Sequence, residues 1–169
     1  MKNFKLLLVA AALFMGATSF VNAQSKVAHI DTKVLVEAMP EMKAAQSQLE
    51  KLQKTYDSEI RSMMKEWEAK VKQYDGEADN KTEEENLKRV QEVTEMQKNI
   101  GDYRNQAIQD LQKKEVDLLQ PILEKARTAI QKVARAQGIH YVLDSATGNG
   151  VILADGTDLL AEVKIELGI

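Results

Sequence analysis

From position 45 to position 78 an apolar side chain returns at every third or fourth residue: Ala45, Leu49, Leu52, Tyr56, Ile60, Met63, Trp67, Val71, Tyr74 and Ala78. Between them only Met64 and Ala69 are apolar. This spacing predicts one α-helix of about 38 residues with a single narrow apolar stripe. The stripe repeats every eleven residues, as in Leu49, Ile60 and Val71 or Leu52, Met63 and Tyr74. Eleven residues in three turns is close to the natural helical period, so the stripe runs almost straight, with a weak right-handed drift. A helix of that length extends ~57 Å at 1.5 Å per residue. It outreaches any compact domain this chain could build, so it must project and must find a partner helix along its stripe.

The partner follows in sequence. Ile100, Leu111, Ile122 and Val133 keep the same beat, as do Met96, Ala107, Leu118 and Ala129. The turn between the two helices is expected in "YDGEADNKTEEE" (74–85), with Gly76 and Asp79-Asn80 as breakers and Thr82 with Glu85 as a capping box. Toward the base of the return helix Val116, Leu119, Leu123, Ala126, Ile130 and Ala134 add a second apolar row about 100° around from the first. A double row calls for two partners, helix one and something else. Pro121 lies within this stretch, without an N–H to donate, and a bend is expected near 117–121.

The ends of the chain read differently. Gly138 suits a left-handed helix C-cap. "IHYVLD" (139–144) and "VILA" (151–154) are β-prone runs around the turn-rich "SATGNG", which predicts a β-hairpin. An isolated hairpin is marginal in water, and the missing strand is "KVAHID" (26–31), followed by a short helix, "TKVLVEA". Thr157 is expected to cap a last helix in "DLLAEVKIELG". The fold class is therefore α+β, mostly helical: a small β body (24–40 and 138–169) carrying a long antiparallel helical hairpin arm (41–137). So thin a body is expected to oligomerise. Val27, Ile30, Leu119, Leu123, Ile130, Val142, Leu143, Val151 and Ile152 are the candidates for its shared core.

Residues 1–23 stand apart. Lys2 and Lys5 precede the apolar run "LLLVAAALFMGA" (6–17), and Val21-Asn22-Ala23 offers small residues before a cut after Ala23. This is the pattern of a cleavable export signal, and the run is too short to favour a membrane span. Removing Lys2 and Lys5 leaves 21 basic against 26 acidic residues, a net charge of about −5, which argues against a nucleic-acid partner. The chain has no cysteine, so packing or assembly must supply all its stability.

The order of parts carries a resemblance. "KVAHIDTKVLVEAMPEMKAAQSQLEKL", the charged helical hairpin, "PILEKARTAIQKVARAQGIHYVLD" and the closing "TDLLAEVKIELG" resemble the Skp/OmpH family of periplasmic chaperones over nearly all of residues 24–169. The resemblance implies a periplasmic homotrimer in which three β bodies form a hub and three arms surround a cavity. It implies unfolded outer-membrane proteins as clients, held without ATP or any cofactor, and transient contact with the outer-membrane assembly machinery. Stable membrane insertion is not implied. The acidic charge departs from the often basic family pattern.

No enzyme is legible. His29 and His140 both fall on expected strands and read as structural rather than catalytic or metal-binding. Asp144, Asn149, Asp155 and Asp158 lack a calcium-loop spacing and read as turn and cap residues. "NKT" (80–82) matches a glycosylation sequon but doubles as the helix cap. No phosphate loop or nucleophile motif is present. The functional signal left is apolar: Met63, Met64, Trp67, Leu87, Val90 and Met96 crowd the distal arm and are the candidates for client contact. Met63, Trp67 and Tyr74 lie on the stripe and are better explained as helix–helix seam, whereas Met64 lies off it. The competing reading, a coiled-coil spacer or adhesion module of the envelope, fits less well with a chain that turns back on itself.

Overall fold

The computed structural model describes residues 26–169. The expected signal peptide, residues 1–23, lies outside them. The elements in chain order are β1 (Val27–Ile30), α1 (Thr32–Ala38), α2 (Pro40–Glu77), a 3-10 turn (Ala78–Asn80), α3 (Glu83–Ala136), β2 (Tyr141–Asp144), β3 (Thr157–Asp158) and α4 (Leu160–Leu167). Helices dominate, and the three short strands form one sheet.

Local chemistry sets the boundaries. Asp31 caps α1, its carboxylate accepting from the Val34 N–H at 2.9 Å. Met39 is forced extended (φ −68°, ψ 131°) by the proline after it, and Pro40 opens α2 at the position where a missing N–H costs nothing. Thr82 and Glu85 form the full capping box at the start of α3. At its end Gly138 takes φ +66°, the Gly138 N–H donates to Arg135 C=O at 3.1 Å and the Ile139 N–H to Ala134 C=O at 2.9 Å. That pair of bonds is a Schellman termination. Helix α3 runs unbroken through Pro121.

The 38 residues of α2 and 54 of α3 correspond to ~57 Å and ~81 Å. They pack antiparallel along the stripe that the sequence marks. Every stripe residue from Ala45 to Ala78 is buried or half-buried except Val71, and on α3 Ile100, Ala107, Ile122, Ala129 and Val133 are buried. The main core lies at the base, where Ala126, Ala129 and Ala134 let α3 approach Ala28, Ile30, Leu35, Met39, Leu159 and Val163 closely. The foot of the arm is thus part of the body's core.

The sheet corrects one expectation. Its order is β2-β1-β3, and both outer strands run parallel to β1. There is no hairpin: Val151 to Ala154 are not in a strand, and the third strand is Thr157–Asp158, pairing Ala28 with Thr157 and His29 with Asp158. The reason is topological. Two strands parallel to the same neighbour need a connection that runs back along the sheet, and residues 145–156 are that connection. The Asp144 carboxylate turns the chain out of β2 by accepting from the Ala146 N–H at 3.0 Å and the Asn149 side chain at 2.5 Å, and Gly148 and Gly150 follow at φ +99° and +83°. Thr157 consequently lies in β3 and is not a cap; Leu159 stands at the cap position of α4, while Asp158 Oδ1 accepts from the Leu160 N–H at 2.9 Å.

Candidate functional site

The hairpin has one seam and no third layer, so each side chain beside the seam is either a rivet or a surface. The rivets are aromatic. Trp67 Nε1 donates to Val93 C=O at 3.0 Å, Tyr56 Oη donates to Asp110 at 3.1 Å, Tyr74 Oη donates to Glu92 at 2.5 Å and Tyr103 Oη donates to Glu59. Tyr56 and Tyr103 meet edge to face at 5.9 Å. Each links α2 to α3, so together they fix the register of two helices whose apolar seam alone would tolerate a slip. The hydrogen bond to Glu59, followed by partial desolvation, pushes the Tyr103 phenol up to about 12. Glu92 raises Tyr74 likewise, and desolvation followed by Asp110 raises Tyr56.

Near the tip the rivets become a charged lattice. Lys70 pairs with Glu92 at 2.5 Å and Arg89 with Glu77 at 2.6 Å, and the Arg89 guanidinium lies 4.5 Å from the Tyr74 ring centroid. Arg89 Nη1 is buried without a hydrogen-bond acceptor; the ring face beside it supplies the compensating negative potential. The Lys70 ammonium, and next the Tyr74 hydroxyl, hold Glu92 below the usual carboxylate range.

The six candidate contact residues separate by face. Met63 and Met96 line one small groove with Ile100. Met64 lines a groove of about 630 Å³ on another face, with Ile60, Arg61, Arg104 and Ile108, and Val90 lines one of about 290 Å³ nearer the tip, with Val71, Tyr74 and Val93. Trp67 is held in the seam by its hydrogen bond. Leu87 and Val90 are 58% and 59% exposed. Sequence reasoning passed over Arg104 and Ile108, which lie off the seam; the signal for Ile108 is that it stands eleven residues before Leu119.

In the body, Val27, His29, Tyr141 and Leu143 share one sheet face by register, and Val27, Tyr141 and Leu143 are exposed there. Ile30 and Val142 point to the opposite face, where a groove of about 550 Å³ also takes in Leu123 and Ile130. Leu119 is half-buried, as is Val151, while Ile152 is fully exposed at 101%. Among the described residues no group of three acidic or histidine side chains is placed to hold a metal ion, and no helix is long and apolar enough to cross a membrane. His29 Nδ1 lies 3.2 Å from Ser145 Oγ.

These features recur in known proteins. The model of the family "Outer membrane protein (OmpH-like)" matches residues 26–167, strand, arm and closing helix together. The chain belongs to the OmpH-like family. The same fold is found in a crystal structure from Caulobacter crescentus CB15, provisionally described as an OmpH-like outer membrane chaperone, with a TM-score of 0.76 at 17% identity over 87% of each chain. No curated protein matches the chain.

Proposed function

We propose that this OmpH-like protein is a periplasmic holdase chaperone, exported by a signal peptide cleaved after Ala23. It works as a homotrimer whose arms surround unfolded outer-membrane proteins and keep them from aggregating, without ATP or catalysis. The carrying observation is the arm itself: two helices too thin to enclose a core, with Leu87, Val90, Ile108 and Val116 left more than half exposed along them. Many separate aliphatic contacts, worth about 1.5 to 3 kcal/mol each at full burial, hold an unfolded chain collectively and release it piecemeal. A carrier with no energy source needs that combination. The trimer is supported by the bare sheet face, because parallel sheets are ordinarily covered on both sides. The family membership and the description of the Caulobacter crescentus structure point the same way.

The test is dilution of a urea-unfolded β-barrel protein with and without the purified protein, followed by light scattering and then by refolding into detergent or lipid. The expected result is a soluble complex at a fixed stoichiometry from which the barrel still folds. Aggregation at the uncatalysed rate would refute the reading. A spacer is not favoured, because β1 and α4, from opposite ends of the described chain, share one core.

A further inference from the structure

Three grooves of the molecule are walled by α3. Val90, Leu123 and Ala134 differ by multiples of eleven residues, as do Val93, Arg104 and Ala126, and so do Ile108 and Ile130, with Leu119 between them. Eleven residues return a helix to within about 20° of the same direction, so the drift is about 40° from Arg104 to Ala126 and from Ile108 to Ile130 and about 80° from Val90 to Ala134. The first members of these series line the grooves of the arm, and the last line the groove of the body. The row expected to meet a second copy at the base therefore continues outward as the wall of the mid-arm groove.

The mid-arm groove is locally basic in an acidic molecule, as is the body groove, where Arg127 and Arg135 face Asp144; what sets the mid-arm groove apart is that, among the described residues, neither of its arginines has a charged partner. Its volume is about 630 Å³, and it combines aliphatic Ile60, Met64 and Ile108 with Arg61 and Arg104, against one carboxylate, Asp57. Among the described residues neither arginine forms an ion pair, whereas Arg89 and Arg127 pair with Glu77 and Glu124. The one side-chain hydrogen bond of Arg104 among the described residues runs from Nη2 to Met64 Sδ at 2.8 Å, and a thioether is a weak acceptor that leaves the rest of the donor fork available. Two uncommitted guanidinium groups beside uncovered aliphatic carbon form a receptor for a carboxylate embedded in apolar surface.

We propose that the mid-arm groove is a client subsite for extended polypeptide segments in which an acidic side chain lies among apolar ones. Arg61 and Arg104 take the carboxylate, while Ile60, Met64 and Ile108 take the flanking aliphatic groups. This rests on the chaperone reading and adds a charge preference to it, one that the net charge conceals.

The test uses the whole purified protein and two fluorescent peptides of alternating valine and polar residues, one with Asp and the other with Asn at the same positions. Binding is followed by fluorescence anisotropy. The native protein is expected to prefer the Asp peptide, and Arg61→Gln with Arg104→Gln to weaken that peptide about tenfold while leaving the Asn peptide within about twofold. Arg61→Lys with Arg104→Lys should retain part of the preference, because the charge survives and the fork does not. Lys98→Gln with Lys113→Gln, the same change in net charge elsewhere on α3, should leave both affinities alone. Equal losses in the two glutamine pairs would reduce the effect to a general field and overturn the proposal, as would equal binding of the two peptides by the native protein. A change in particle size with Arg61→Gln and Arg104→Gln would also overturn it, assigning the groove to a second copy. Protection of an unfolded barrel protein, measured in parallel, separates the two levels. If protection persists without peptide discrimination, only the subsite fails; if protection is absent as well, the chaperone reading fails with it.

Discussion

Asp144 is the residue on which the body's irregular half depends. Burial alone would raise its pKa, but hydrogen bonds from the Thr32 hydroxyl (2.6 Å), the Ala146 N–H (3.0 Å), the Thr32 N–H (3.2 Å) and Asn149 (2.5 Å) outweigh that and hold it below the ordinary carboxylate value. Its folded pKa is lowered, so its contribution is complete above the unfolded value of about 3.9 and is lost as pH falls through the folded value. Asp144→Ala should cost about 1.5 to 3 kcal/mol at neutral pH, the range for hydrogen bonds to a charged group. The difference from the parent should shrink below about pH 4, which urea unfolding at neutral pH and at about pH 3 would measure. Tyr103 gives the opposite sign. Its phenol is raised to about 12, so the folded state keeps its proton longer than the unfolded state does. Stability from this group is whole below about pH 10 and is lost between there and about 12. Tyr103→Phe should flatten the alkaline decline in melting temperature, and an ultraviolet phenolate titration should lose its latest-titrating component.

At the scale of elements, the arm was legible throughout and the sheet only in part: β1 and β2 form where the β-prone runs lie, while the third strand and the strand directions do not follow the pattern. One physical reason accounts for both. A two-helix seam with no third layer imprints a single stripe, and each stripe position matters, so Leu49 to Ala78, Val71 excepted, could be read off as the half-buried seam face. Thr82 with Glu85 and Gly138 are local devices that need no distant partner, and they fold as read. The sheet is held by pairings across the whole arm, and strand direction leaves no mark on a four-residue strand. Val151 to Ala154 have β propensity without a partner, and Thr157–Asp158 have a partner without a pattern. Within the candidate site, Met64 and Val90 were marked by their apolarity, whereas Arg61 and Arg104 acquire meaning only once the groove between the helices is seen. The capping box also makes a prediction at this scale. Thr82→Ala should cost about 1 kcal/mol locally and speed amide exchange through the tip, residues 78–90, while the core strand β1 keeps its protection. If exchange rose equally in β1, the tip and body would unfold as a single unit.

For the whole molecule, the question is what covers the body. Leu143 is 48% exposed, and with Val27 and Tyr141 it forms a bare apolar face on a parallel sheet, a class of sheet that is otherwise covered on both sides. Within one protomer a charge at Leu143 would still reach water, so Leu143→Asp should change the intrinsic stability of the protomer by little. In a trimer whose hub is built from this face, the same aspartate would be buried three times over around the axis without a partner, and each copy would repel the others. Leu143→Asp is therefore expected to dissociate the assembly while leaving folded, helical protomers. Ile130→Asp should act differently: Ile130 packs against the core of its own protomer, so dissociation and unfolding should come together. Light scattering gives the particle mass and circular dichroism the helix content, and only the pair of measurements separates the two outcomes. The client assay then gains a second meaning. A single arm offers its grooves to solvent on every side, whereas three arms make a cavity. Folded Leu143→Asp protomers should bind the short Asp peptide nearly as well as the parent yet fail to protect an unfolded barrel protein. Full protection by protomers would show that one arm is the functional unit and that the hub serves stability alone.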